Sequence, residues 1–318
     1  MGGGVISYLT KSIIFEKELL KSFGVNNINL IDVGSSFNLF EPFDNIENVW
    51  GEDLRILCFE PNSETDIVSS KSTRININSA LWSEKQKIIF HIAKEKSKSS
   101  VHPPNIELIK KFSDENWIER QTEKTVEIDA VTLDSVIDQH QFDADFVKID
   151  TQGSEYEILQ GARKSISKGI FGALLETWSY PFHVDQKLTY DVMKTMDDNG
   201  YFLVDLNKGG YYRRKTVSNS TLYLGQIGQL DLLYFETFEK FTSSDKSNEQ
   251  IIKAACLADL YGMTDYSVEL LNHYGNFTEL IEQILKKRKT LIKNVENQWR
   301  VEKIKNLLKF QPRTPPLH

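Results

Sequence analysis

Short runs of aliphatic, β-branched and aromatic residues recur along the chain up to about residue 240, and most show little polar alternation. They span 28–34 (INLIDVG), 55–61 (RILCFEP), 74–81 (RININSAL), 87–93 (KIIFHIA), 125–131 (TVEIDAV), 145–150 (DFVKID), 172–177 (GALLET), 201–206 (YFLVDL) and 230–236 (LDLLYFE). A strand with one wet face alternates polar and apolar residues, whereas a strand covered on both faces reads as continuous apolar sequence. Helical patterns lie between the runs. Tyr156, Ile158, Leu159, Ala162 and Ile166 recur at helical spacing behind Ser154, a residue type that caps helix N-termini. Residues 188–199 read as another helix, stopped by Gly200. Strands alternating with helices predict an α/β fold built on a mainly parallel, doubly wound sheet.

Two regions break this rhythm. Residues 94–120 begin with the polar KEKSKSSVHPPN and a Pro-Pro break, which predicts a long loop of the kind that often carries function. Beyond residue 240 the pattern becomes helical, with breaks near Gly262 and Gly275. The expected organisation is an N-terminal helical segment (1–27), an α/β domain (28–240) and an α-helical C-terminal extension (241–318). Residues 281–310 are amphipathic and carry nine Lys or Arg against three Glu. A helix of this kind packs its apolar stripe on its own protein, pairs with a second copy in a homo-oligomer, or lies on an anionic membrane as a peripheral contact. The whole 318-residue chain has a formal charge of −7, which argues against a general nucleic-acid binder. Cys58 and Cys256 lie far apart in apolar contexts without metal-ligand spacing, as expected of reduced, buried thiols. No membrane-length apolar run and no signal-peptide pattern is present, so a cytoplasmic protein is expected.

Chemistry concentrates at the predicted strand ends. The run 28–33 leads into DVGSSFN, an acidic residue followed by a small-residue turn. Asp32 and Gly34 suit a nucleotide-type cofactor, which needs close approach of the backbone and N–H groups facing the ligand. Ser35, Ser36 and Asn38 stand where a dinucleotide fingerprint has further glycines, which counts against a pyrophosphate-gripping NAD site. Glu60, at the tip of the next run, is placed to accept both ribose hydroxyl protons of an adenosine. Asn78, Ser79 and Ala80, at the end of the third run, would lie near the adenine. The segment DFVKIDTQGSEYEILQGA (145–162) is the most specific: an apolar run ends in Asp150, a glycine turn follows, and a helix opens with Ser154 and Glu155.

That segment resembles the FkbM family of methyltransferases, whose pattern has V-K-I-D, a glycine turn, a Glu and a helix ending L-x-G-A. Lys148, Asp150, Gly153, Glu155, Leu159, Gly161 and Ala162 stand at those places. DVGSSFN is similar to the family's cofactor loop, CFEPN to its F-E-P ribose motif, and NSALW, the SS of KSKSSVHPP, AVTLDSVI and ALLET follow in the family's order. The resemblance covers about residues 28–236. It implies a Rossmann-like class I methyltransferase sheet, mostly parallel with an antiparallel terminal hairpin, which YFLVDL and LDLLYFE would form. It implies S-adenosylmethionine as cofactor, held by Asp32, Gly34, Ser35, Ser36, Asn38, Glu60, Pro61, Asn62, Asn78, Ser79 and Ala80. It also implies O-methylation of a small-molecule or glycan acceptor, a sugar or natural-product hydroxyl.

Methyl transfer to a hydroxyl needs donor and acceptor aligned and a base for the released proton. Asp150 is the first candidate, Glu176 at the next strand end the second, and His102 in the polar loop the third. Two alternatives stand beside this reading. One is a catalytically silent methyltransferase-like scaffold, motivated by the departures in the first loop and by the helical tail. The other is a NAD(P) oxidoreductase, which the glycine-poor loop disfavours.

Overall fold

Strand β1 (Ile28–Val33) is buried at every position, as its unbroken apolar sequence requires. It belongs to a computed structural model that describes residues 17–34, 43–61, 71–112, 116–216 and 225–309. The other strands are β2 (Leu54–Phe59), β3 (Thr73–Ile77), β4 (Ala80–Leu81), β5 (Gln86–Ala93), β6 (Thr122–Val131), β7 (Phe146–Ile149), β8 (Gly172–Trp178), β9 (Tyr201–Tyr212) and β10 (Gln226–Glu236). Seven of them form one sheet in the order β3-β2-β1-β7-β8-β10-β9. The first five in that order run parallel. β10 is antiparallel to both its neighbours, so the expected terminal hairpin is present, with β10 inserted between β8 and β9.

Helices cover both faces. On one, Ile31, Val33, Val147 and Ile149 pack with Leu133 and Val136 of helix Leu133–His140, with Ile158 and Leu159 of helix Glu155–Gln160, and with Val192 and Met196 of helix Thr189–Asp198. Successive strand residues point to opposite faces. Phe146 accordingly turns the other way and meets Phe43 of helix Phe43–Trp50 at 5.4 Å between ring centroids. The chain leaves β1 toward β2 on one side while β7 lies on the other. The strand order reverses there, and ligands of open α/β sheets bind in the crevice this leaves beyond the strand ends.

Three expectations are corrected. Residues 74–81 are not one strand: the chain turns at Asn78–Ser79, and β4 leaves for a second, three-stranded sheet of order β4-β6-β5. KIIFHIA and TVEIDAV belong to that sheet too, pairing antiparallel. Their side chains alternate in exposure, as in a hairpin with one wet face. The helix expected from Ser154 to Ile166 is interrupted after Gln160 and resumes as Arg163–Lys168. The reason is Gly161, where a Cβ would stand 2.1 Å from the Trp82 carbonyl oxygen: the turn is wedged against the β4–β5 connection.

Residues 94–120, expected as a long loop, contain a 3-10 turn (Lys96–Lys98) and two short helices (Ile106–Ile109 and Asn116–Glu119). The segment is stitched to the sheet edge by bridges pairing His91 with Ser100, Pro104 with His183 and Phe112 with Arg214. Phe112 is buried with Trp178, Phe182 and Tyr212, stacking on Phe182 at 5.7 Å.

All of these elements lie in a unit of residues Val25–Gln250; a second unit takes residues up to Gly24 and from Ile251 onward. Its described part is helical: Lys17–Ser22, the stretch from Ile251 of helix Asn248–Leu260, Thr264–Tyr274 and Thr278–Lys309. The expected breaks near Gly262 and Gly275 fall between these helices. Arg288 is buried against Asp259, with Nε 2.7 Å from Oδ1, and Thr264 donates to the same oxygen. Along the basic amphipathic stretch Ile284 is buried whereas Leu285 and Ile292 are exposed. No helix among the described residues is long and apolar enough to cross a membrane.

Candidate active site

The crevice is built from the carboxyl ends of β1, β2, β7 and β8. Gly34 follows β1 with φ of +76°, and a Cβ there would stand 1.9 Å from the Asp150 carbonyl oxygen. Only glycine lets the two strand ends meet this closely. Gly34 N–H donates to the Phe59 carbonyl and Asp150 N–H to that of Val33, which ties the three strand ends together.

Beneath this junction lies a charged triplet. Lys148 Nζ is 3.4 Å from Asp32 Oδ1 and 3.5 Å from Asp150 Oδ2, and it donates to the Gly34 carbonyl at 3.1 Å. Burial pushes the Asp32 carboxyl above its ordinary range, against the opposing pull of Lys148. Burial also disfavours the Lys148 ammonium, but Asp32 and Asp150 outweigh it and raise its proton affinity. Lys148 therefore stays charged and pairs with the side chains of Asp32 and Asp150.

The turn after β7 is organised by Glu155. Its Oε1 accepts from the N–H groups of Thr151 and Gly153 and from the Thr151 hydroxyl, all at 3.0–3.1 Å. Ser154 was the expected cap, but its hydroxyl donates to Thr151 Oγ1 and makes no capping bond. Glu155 instead ties down the turn ahead of the helix, reaching two of its N–H groups at once. Burial raises the Glu155 carboxyl to about 7 against those bonds.

Glu176, near the end of β8, is only 4% exposed. Gln152 Nε2 donates to both its oxygens, at 3.0 and 3.3 Å, and Gln229 Nε2 from β10 donates to Oε1. Burial, then Asp150 and Glu155, pushes the Glu176 carboxyl well above its ordinary range. Gln152 in turn accepts at Oε1 from Arg120 Nη1 at 3.0 Å. The Arg120 guanidinium lies 4.8 Å from the Trp178 ring centroid.

These groups open on a cavity of about 890 Å³. Gly34, Glu60, Pro61, Ser79 and Ala80 line one region of it, Asp150, Gln152 and Glu176 its floor, and Lys94, Lys96, Lys98 and Arg120 the wall from the 94–120 segment. Of the residues singled out from sequence, Asp32 lies behind the cavity, under Lys148. Asn78 is exposed at the β3–β4 turn and does not line it. His102 does not line it either: its ring packs on Trp82 at 5.8 Å and its Nε2 is 3.9 Å from Glu157. Ser35, Ser36, Asn38 and Asn62 lie outside the described residues. Sequence reasoning gave no role to Gln152, Arg120 or Gln229. Gln152 sits two residues beyond Asp150 and could have been marked by that proximity. Arg120 and Gln229 come from distant segments without a motif.

The sequence model of the Methyltransferase FkbM domain matches residues 25–203. Among solved structures, the methyltransferase FkbM of Methylobacillus flagellatus KT is similar at 14% identity over 65% of this chain and 44% of that one, with a TM-score of 0.33. The chain thus spans less than half of that protein's length. A SAM-dependent methyltransferase of Aquifex aeolicus is similar at 9% identity over 73% of this chain and 93% of that one, with a TM-score of 0.25. No functionally curated protein matches.

Proposed function

The chain belongs to the methyltransferase FkbM domain family, and from that premise we propose that it uses S-adenosylmethionine to methylate a hydroxyl of a sugar or natural product. The observation that carries the reading is the carboxylate lining of the crevice: Glu60, Asp150 and Glu176 face one cavity beside a glycine cradle. Carboxylates at the strand ends suit the cationic part of an adenosyl ligand. Gly34, Ser79 and Ala80 leave room at the strand ends, and Glu60 offers only acceptors, the right chemistry for ribose hydroxyls.

When bound, S-adenosylmethionine supplies a methyl group made electrophilic by a positively charged sulfur. Glu60 would hold the ribose, and Asp150 would face the cationic part of the ligand while Lys148 fixes its carboxylate. Glu176 is the better proton acceptor of the two floor carboxylates. Asp150 is ion-paired with Lys148. Burial, then the neighbouring Asp150 and Glu155, and a hydrogen bond to Asp150 keep the proton affinity of Glu176 high. The acceptor hydroxyl would give its proton to a Glu176 carboxylate oxygen as its own oxygen takes the methyl. His102, away from the cavity, has no part in this scheme. Cys58 and Cys256 are both buried, which suits the reducing cytoplasm expected for the chain.

Incubation of the full chain with isotopically labelled methyl donor and a panel of glycans and hydroxylated small molecules, read by mass spectrometry, tests the reaction. Label in an O-methyl product is expected; label on nitrogen or carbon alone would overturn the O-methyl assignment. Glu176→Gln should keep donor affinity within about twofold and lower turnover by about 10²–10⁴.

A further inference from the structure

Glu176 is reached by a chain of contacts that begins on its own strand. Glu176 and Trp178 are two apart on β8 and so project from the same face. Trp178 carries the Arg120 guanidinium on its ring at 4.8 Å, and Phe182 adds a second ring at 5.9 Å. Arg120 is buried, and its Nη1 donates to Gln152 Oε1 at 3.0 Å. Gln152 Nε2 then donates back to Glu176. The loop of contacts closes on the strand where it started.

The middle link is fixed at three points. Gln152 has φ of +59°, a left-handed conformation that non-glycine residues keep only where their surroundings enforce it. Ser100 Oγ donates to its carbonyl oxygen at 2.9 Å, Arg120 takes its side-chain oxygen, and Glu176 takes its side-chain nitrogen.

We propose that Arg120 and Gln152 are positioning residues for the transfer, a relay that orients the Glu176 carboxyl toward the cavity and favours its ionised form. A guanidinium has donors and no acceptor, so the Gln152 oxygen must face it. The Gln152 amide then has only N–H groups to offer Glu176. An ionised carboxylate accepts these N–H groups with both oxygens, whereas the protonated form is favoured by the hydrogen bond to the Asp150 side chain. Arg120 thus acts on Glu176 by fixing which end of a neutral amide meets it. The charged groups facing Glu176 from the other elements are Asp150 and Lys148 of the β7 end, Glu155 of helix Glu155–Gln160 and Asp231 of β10. The three carboxylates oppose its ionisation, and the relay works against them. The proposal rests on Glu176 being the base, but its test needs neither donor nor acceptor, so it fails or stands apart from methyl transfer.

The test is a pH titration of the full chain labelled with ¹³C-glutamate, with the Glu176 carboxyl resonance assigned by its loss in Glu176→Gln. Arg120→Met and Gln152→Leu should each raise its midpoint by about one pH unit, the size of one hydrogen bond to a charged group. The double variant should rise no further than Gln152→Leu alone, because Arg120 acts through the amide. Gln229→Leu should also raise the midpoint, and Arg120→Met should add its full effect to that. Where Arg120→Met does not fold, Arg120→Lys keeps a cation over Trp178. It should shift the midpoint by less than Gln152→Leu in the wild type, and not at all in the Gln152→Leu background. An unmoved midpoint in Gln152→Leu, or shifts of Arg120 and Gln152 variants that add, would overturn the relay.

Discussion

Lys148 is the residue on which the charged centre turns, because it is the cation between Asp32 and Asp150. Removing one partner of a buried pair leaves an uncompensated charge, so Lys148→Met should cost about 3–5 kcal/mol in denaturant unfolding. Asp32→Asn in the same chain should recover most of that loss; no recovery would show that the Lys148 side chain acts through packing alone. Glu155 gives a pH dependence with a definite sign. Its carboxyl rises from an ordinary 4.5 to about 7, so between those values the native state holds a proton that the unfolded chain has released. Its contribution therefore lowers stability as pH rises through that window. Urea unfolding at pH 5 and pH 8 should show the decline, and Glu155→Gln should flatten it. The gathering of Gly34, Glu60, Asp150 and Glu176 at one sheet edge was legible in the sequence because each closes an apolar run. The place of His102 against Trp82 was not legible, since a polar loop says nothing of where a side chain turns. Arg120 and Gln229 were invisible because their partners lie 32 and 53 residues away in sequence.

At the scale of elements, two glycines do different work. Gly34 lets the β1 turn lie against the β7 end, and Gly161 lets a helix end lie against the Trp82 carbonyl. Gly161→Ala should lower stability by about 1–3 kcal/mol through overpacking while leaving S-adenosylmethionine affinity unchanged. Gly34→Ala should lower both, since its Cβ would prise open the crevice itself; calorimetric titration of the two variants distinguishes the cases. The main sheet was readable from runs such as INLIDV and FVKI, whose continuous apolar character means burial on both faces. KIIFHIA and TVEIDAV carried a weaker signal, the alternation in V-E-I-D-A-V, that placed them in a separate half-exposed sheet. The order of 94–120 was hidden because its anchor, Phe112, finds Trp178, Phe182 and Tyr212 only in the folded chain.

For the molecule as a whole, the sheet order and the match over residues 25–203 agree on the same domain. The helices after residue 250 were foreseeable from their period and from Gly262 and Gly275, and the buried Arg288–Asp259 pair between two of them was not. The central claim is that the crevice beyond β1, β2 and β7 takes a cationic adenosyl donor. Isothermal titration calorimetry of the full chain with S-adenosylmethionine, and in parallel with NADH, tests it most directly. Saturable one-to-one binding of S-adenosylmethionine, weakened at least tenfold in Glu60→Ala, with no heat from NADH, is the expected result. Binding of NADH, or of neither ligand, would contradict it.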